Sequence, residues 1–384
     1  MTATARRTDR NEARATLFLA LELGETSWKL AFAPSLGQKP RERTIAARDR
    51  DALRGEIARA KQRFGLATRT RVVSCYEAGR EGFWLHRCLV AEGVENRVVD
   101  AASIEVNRRR RHVKTDRMDA QRLLRLLVRE SLGEERVWAV VHVPRPEDED
   151  RRHLHRELLT AKRDRTRVTN RIQGLLANQG LRIQWRRPLA PQLAALRLWD
   201  GSPLPAGLRM RIEREWERVE LLNRQIQALE AERREAIRTG RDHAMAQVRQ
   251  LVALQGIGSN SAWLYVMEFF GWRRFRNRKE VGSLAGLTPT PHQSGDEQRE
   301  QGIGRDGNRH VRAMAIEIAW GWLRFQPRSA LTRWYQRRFG RGSSRLRRIG
   351  IVALARKLLI ALWRFLETGV MPEGAVLAPA YRVR

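Results

Sequence analysis

The sequence predicts an α/β layer over residues 16–145, a helical linker of coiled-coil character over 146–245, and a mainly α-helical domain over 246–368. A short arm (1–15) and a tail (369–384) flank them. Three observations carry this division. Short apolar runs bounded by turn residues alternate with amphipathic runs as far as about residue 145. From Pro146 the strand signals stop and charge density rises. From Val248 apolar residues return at helical spacing. A length of 384 residues accommodates two or three domains, and 42% hydrophobic residues supply their cores.

The arm "MTATARRTDRNEARA" is polar and reads as disordered. "TLFLALELGETSWKLAFAP" holds two apolar runs around Gly24, Glu25 and Thr26, a β-hairpin signal. "RDALRGEIARAKQRFG" has helical period and stops at Gly65. "TRVVSCYEAG" reads as a buried strand ending at Glu77, "GFWLHRCLVAEG" as a helix and "NRVVDAAS" as another strand. "VKTDRMDAQRLLRLLVRE" is the helix that closes the layer. Mixed strands and helices in this order imply an α/β layer. Two long charged runs follow, separated by the Pro/Gly-punctuated "RRPLAPQLAALRLWDGSPLPAG". Trp216, Val219, Leu222, Ile226 and Leu229 repeat at three- and four-residue spacing, a stripe that faces another helix, within the chain or across a dimer. In "LVALQGIGSNSAWLYVMEF", Gly256 and Gly258 between two apolar helical runs form a helix-hairpin-helix-like signal. Such a turn either is a plain tight turn or brings backbone N–H groups to a phosphate.

Charge narrows the function. The chain carries 75 Lys and Arg against 43 Asp and Glu, a net +32, with a pI near 11.6. Only seven of the basic residues are Lys, and Arg suits bidentate phosphate contacts. The excess is spread along the chain, so nucleic acid is a better counterion than a membrane surface. No apolar run reaches membrane-spanning length, and the N-terminus lacks a signal-peptide core. Cys75 and Cys88 form no ligand or disulfide pattern, which fits a reducing cytoplasm. The expected location is the bacterial cytoplasm, at the nucleoid.

Four acids stand where a metal nuclease needs them. Glu22 lies in mid-strand between Leu21 and Leu23, where an unpaired carboxylate is costly. Glu77 ends a strand, and Asp116 and Asp119 share a face at a helix start. Each has a plain alternative: an edge strand, a turn, a helix cap. Together, on these elements and in this order, they match the requirement of an RNase H-like nuclease core, whose carboxylates converge on divalent metal. Arg108, Arg109, Arg110, Arg111 and Lys114 lie just upstream, placed for neighbouring phosphates.

"LELGETSWKLAF", "VVSCYEAG" and "VKTDRMDAQRLLRLL" resemble the three acidic blocks of the DEDD transposases of insertion sequences, the family one-ten, which includes Piv-like DNA invertases. "LVALQGIGSNSAWLYVMEF", "EVGSLAGLTPTPHQSG" and "GIGRDGNRHVRAMAIEIAW" continue the resemblance, which covers most of residues 16–340. It implies a RuvC-like first domain in which Glu22, Glu77, Asp116 and Asp119 bind Mg²⁺, with Mn²⁺ as the alternative. Where the family usually has Asp in the first strand, this chain has Glu22. The resemblance also implies a serine nucleophile at Ser294. The residues alone do not choose it, since Ser294 reads as a serine in a polar loop and Ser259, Ser261 and Ser283 are equal candidates. It implies as partners double-stranded DNA, both target and element ends, and a structured guide (bridge) RNA. A homodimer or homotetramer would join the two domains' chemistry. Arg305, Arg309 and Arg312, with Gly256 and Gly258, are the further phosphate contacts expected. Two other readings use the same residues: a Holliday-junction-type metal nuclease acting through the acids alone, and a nucleic-acid-binding relic without catalysis.

Overall fold

A computed structural model describes residues 15–104, 116–135, 137–185, 187–294, 297–304 and 307–379. They divide into two units between Val143 and Pro144. The expected arm, Arg108 to Arg111, Lys114 and Arg305 lie outside the described residues.

The first unit is built on a five-stranded sheet. Strands β1 (Thr16–Leu23), β2 (Ser27–Ala33) and β3 (Arg41–Ala46) are followed by α1 (Arg50–Arg63), β4 (Arg71–Glu77), α2 (Trp84–Ala91), β5 (Glu95–Val99) and α3 (Asp116–Ser131). The order across the sheet is β3-β2-β1-β4-β5. β1 runs antiparallel to β2 and parallel to β4, and β4 runs parallel to β5. The period-2 alternation of β1 sorts its side chains between two cores. Leu17, Leu19 and Leu21 pack with Leu53 and Ala60 of α1 and Leu85 and Leu89 of α2. Phe18 and Ala20 pack on the other face with Val73 and Cys75, under Ala120, Leu123, Leu124 and Leu127 of α3.

The sequence predicts strand, strand, helix at the start of this unit, and the structure inserts β3 between them. "RERTIA" escapes pattern reading because its inward residues are Arg41 and Ile45. Arg41 is buried only because Glu56 of α1 meets its guanidinium at 2.5 Å.

The second unit opens with a helical hairpin, α4 (Pro146–Ala177) and α6 (Ala206–Thr239), with the short α5 (Leu189–Ala195) between. Pro146 at the first position, followed by Glu147, Asp148 and Glu149, suits the positive end of α4. The apolar stripe of α6 meets α4 of the same chain. Ile212 and Val219 pack with Val168, Ile172 and Leu176, while Ile226 packs with Leu158 and Ala161, so the two helices run antiparallel.

The remaining elements are α7 (His243–Val252), α8 (Ser259–Tyr265) with a π turn at Val266–Phe270, α9 (Arg278–Leu284), β6 (Pro289–Ser294), β7 (Glu297–Ile303), α10 (Arg309–Phe325), α11 (Ala330–Phe339) and α12 (Ser344–Thr368). Trp263, Phe269, Trp322, Leu358 and Leu362 are in their common core, which also takes in Ile237 from the base of the hairpin. The expected polar loop around Ser294 is instead the end of a strand, since β6 and β7 pair antiparallel with Ser294 opposite Glu297. Pro289, Pro291 and the charged run of β7 conceal it. A two-stranded ribbon has only edges, where proline and charge are tolerated.

Candidate active site

Glu22 and Glu77 are brought together. Leu21 pairs in register with Tyr76 along parallel β1 and β4, so the next residues on each strand, Glu22 and Glu77, stand side by side at the ends of the strands. By alternation Glu22 follows Phe18 and Ala20, and Glu77 follows Val73 and Cys75, so both belong to the face covered by α3. They line one cleft of about 120 Å³ with Leu23, Ala78, Gly79, Arg80 and Glu81. The cleft's other charges are engaged. Arg80 donates to Glu25 at 3.0 Å, and Glu81 accepts from Arg48 at 2.7 Å and from the Trp84 indole at 3.2 Å. The Glu81 carboxyl, which burial would raise, is held below its usual range chiefly by Arg48 and Trp84.

The polar row extends across the sheet. Glu22 is opposite Lys29 on β2, and Lys29 is opposite Thr44 on β3. The Lys29 ammonium donates to the Thr44 hydroxyl at 3.0 Å, which fixes a cation one strand from Glu22 on the same face. Lys29 and Thr44 also line a second cleft, of about 330 Å³, with Ala120 of α3. Asp119 precedes Ala120, so the first turn of α3 lies at the same end of the sheet as the acid pair. Asp116 is the first residue of α3, and its side chain, like that of Ser294, lies outside the described set. Among the described residues no three metal-ligating side chains converge. Glu22 and Glu77 nonetheless supply hard oxygen donors in one cleft, a donor type that suits Mg²⁺.

In the second unit the β6–β7 ribbon is clamped at its base. The Gly304 N–H donates to the Thr288 carbonyl at 2.9 Å and the Asn308 N–H to the Leu284 carbonyl at 2.8 Å. Gly286 adopts φ +65°, and a Cβ on Gly307 would lie 2.3 Å from the Gly286 nitrogen, so two backbones touch where only glycine fits. One Arg312 guanidinium nitrogen reaches the carbonyls of Gly307 and Ala285 at 3.4 and 3.5 Å, beside this contact. Arg309 is exposed at the start of α10. Gly256 has φ +91° and packs against Phe325, while Gly258 caps α8 and is exposed.

A buried polar group beside the start of α10 has no counterpart among the residues the sequence singles out. Glu268 is 1% exposed in the π turn and accepts two hydrogen bonds from Arg156, at 2.6 and 3.0 Å. Burial would raise its carboxyl, but Arg156 and then Asn308 outweigh that and hold it below the usual range. The signal was present in "VMEFF", where an acid interrupts an apolar helix as Glu22 interrupts an apolar strand. Lys29 and Asn308 were also missed, because a lone Lys in a strand and an Asn before a helix carry no chemistry by themselves.

Comparison with known proteins gives the class. The family model described as "Transposase IS116/IS110/IS902 family" matches residues 248–335, the segment holding the ribbon and Glu268. A putative transposase, y4rJ, of Sinorhizobium fredii is 42% identical over 377 residues, covering 94% of each chain. A probable family 20 transposase of Pseudomonas aeruginosa is 29% identical over 56% of this chain and 62% of its own length. The transposase for insertion sequence element IS1328 of Yersinia enterocolitica is 25% identical over 57% of this chain and 64% of its own length. The protein is therefore a transposase by class. The chain belongs to the IS116/IS110/IS902 transposase family. Among the described residues no helix is long and apolar enough to cross a membrane.

Proposed function

We propose that this transposase cuts and rejoins double-stranded DNA with Glu22, Glu77, Asp116 and Asp119 at one end of an RNase H-like sheet and Ser294 as nucleophile, guided by a structured RNA. The observation that carries the reading is the shared cleft of Glu22 and Glu77 on the face that α3 covers. The sheet order, an antiparallel meander of β1, β2 and β3 with β4 and β5 added parallel to β1, is the arrangement such a core needs. The four acids would hold Mg²⁺, which supplies charge stabilisation at the scissile phosphate. Lys29, held by Thr44, adds a fixed positive charge beside the acids. Ser294 stands at the tip end of a ribbon whose base is clamped by Gly286, Gly307 and Asn308, so its backbone is positioned by a rigid support. Attack by its hydroxyl oxygen would form a serine–phosphate ester as the strand's P–O bond breaks, the departing strand oxygen taking up a proton as the serine gives one up, so that the phosphodiester energy is retained for rejoining.

The acids and Ser294 belong to different units, so assembly of two or four copies would let one subunit's serine serve another's acids. The net charge of +32 suits simultaneous binding of DNA and a folded RNA. The test is cleavage of labelled target DNA with Mg²⁺ and RNA transcribed from the element's flanks. Loss of cutting in Glu22→Gln, Glu77→Gln and Ser294→Ala supports the serine recombinase. Cutting that survives Ser294→Ala contradicts it and leaves a metal nuclease.

A further inference from the structure

The 68 arginines are not equivalent. On the long charged helices many neutralise acids: Arg167 with Asp164, Arg171 with Glu215, Arg209 with Glu213, Arg218 with Glu215 and Arg238 with Glu235. The corner where α11 passes into α12 is different. Arg337, Arg338, Arg341, Arg345, Arg347 and Arg348 fall within twelve residues that contain no Asp or Glu, and all six are exposed. Among the described residues none of them is ion-paired. The nearest such pair, Arg333 with Glu373 at 3.6 Å, lies one turn earlier.

The corner is rigid. A Cβ on Gly350 would come 2.5 Å from the Phe339 ring, so α11 and α12 cross in close contact. The Gly342 N–H donates to the Phe339 carbonyl at 3.0 Å, and the Tyr335 hydroxyl donates to the Arg347 carbonyl at 3.3 Å. Six uncompensated guanidiniums on a fixed turn repel one another unless an anion lies across them.

We propose that this corner is a docking surface for the phosphodiester backbone of duplex DNA. The aromatic residues argue for duplex over looped or single strands, whose recognition uses exposed rings as base platforms. Trp334 is covered by the Lys357 ammonium at 4.7 Å and by the edge of Phe339 at 5.5 Å. Tyr335 is buried. The surface therefore presents charge without stacking, which gives sequence-independent contact. It rests on the family and on this charge pattern, and not on the serine or the acids.

The test is fluorescence anisotropy of the full chain on a random-sequence DNA duplex without divalent metal, over a range of salt. Each lost phosphate contact lowers the slope of log affinity against log salt by roughly one unit. Arg341→Ala/Arg345→Ala/Arg348→Ala is expected to lower it by about two to three units, with the melting temperature kept. The matched control Arg171→Ala/Arg218→Ala/Arg238→Ala removes the same charge from exposed, ion-paired positions on α4 and α6 and is expected to leave the slope within about one unit. Replacing the three corner arginines by Lys keeps the charge and is expected to keep the slope. Equal slopes in the two alanine variants overturn the proposal. So does a corner variant that loses affinity for a structured RNA hairpin while its duplex slope stays at the wild-type value.

Discussion

Asn308 ties Glu268 to the start of α10. Its amide nitrogen donates to the Glu268 carboxylate at 3.2 Å, while its side-chain oxygen accepts from the backbone N–H groups of His310 and Val311 at 2.9 and 3.2 Å. Glu268 in turn is gripped by Arg156 from the helical hairpin. The sequence neighbour of the ribbon is thus anchored to the hairpin through one buried carboxylate.

Breaking that anchor from one side is the costly change. Arg156→Met leaves a nearly fully buried carboxylate with the neutral Asn308 amide and the nearby charge of Arg152, and is expected to destabilise the second unit by about 3 kcal/mol. Glu268→Gln costs less, because Arg156 is 40% exposed and finds water. The double variant should recover part of the Arg156→Met loss. Urea unfolding of the four proteins measures the coupling, and strict additivity would contradict it.

His155 makes the same region acid-sensitive. It is 0% exposed, and neither ring nitrogen has a hydrogen-bond partner among the described residues. Burial, with Arg233 acting in the same sense, lowers it from 6.5 to about 4. The unfolded chain therefore takes up a proton that the folded chain refuses. The site's stability is complete above about pH 6.5 and is lost as pH falls toward about 4. His155→Leu should flatten this part of the stability–pH curve, leaving the contribution of His310, which burial also lowers. Glu268, with its lowered carboxyl, adds its own loss only further toward acid. An unchanged curve in His155→Leu would contradict the assignment.

The ribbon's base tolerates no side chain where its two backbones meet. Gly307→Ala is expected to cost about 2 kcal/mol or more and to reduce strand transfer, because the contact is backbone against backbone. Gly302→Ala on β7 meets nothing within 4 Å and serves as the control. Equal melting temperatures for the two would show that the ribbon base yields easily.

The β1 acid allows a finer test. Glu22→Asp shortens the side chain by one methylene toward the residue usual in the resembled family. It is expected to retain cleavage, whereas Glu22→Gln and Glu77→Gln should each lose about 100-fold or more in single-turnover cutting, with folding unchanged. Wild-type rates in Glu22→Gln would remove Glu22 from the chemistry.

The strands that carry Glu22 and Glu77 were legible because apolar alternation and turn residues mark them, and an acid among leucines is conspicuous. The hairpin helices were legible from their spacing, although only the structure shows that Val219 and Ile226 face α4 of the same chain. What stayed hidden depends on pairing between distant residues. β3 is stabilised by Arg41 meeting Glu56, the ribbon by Gly286 meeting Gly307, and Glu268 by Arg156 and Asn308. None of these leaves a local period, because each partner explains the other only once folded.

Covalent attachment of DNA to Ser294 is the step to measure. Protein, Mg²⁺, guide RNA and end-labelled duplex DNA are incubated, denatured, and examined for a DNA adduct, whose tryptic peptide is then mapped. A denaturant-resistant adduct is expected on the peptide containing Ser294, absent in both Ser294→Ala and Asp116→Asn. An adduct on another residue, or cutting by the wild type with no adduct, would contradict Ser294 as the nucleophile.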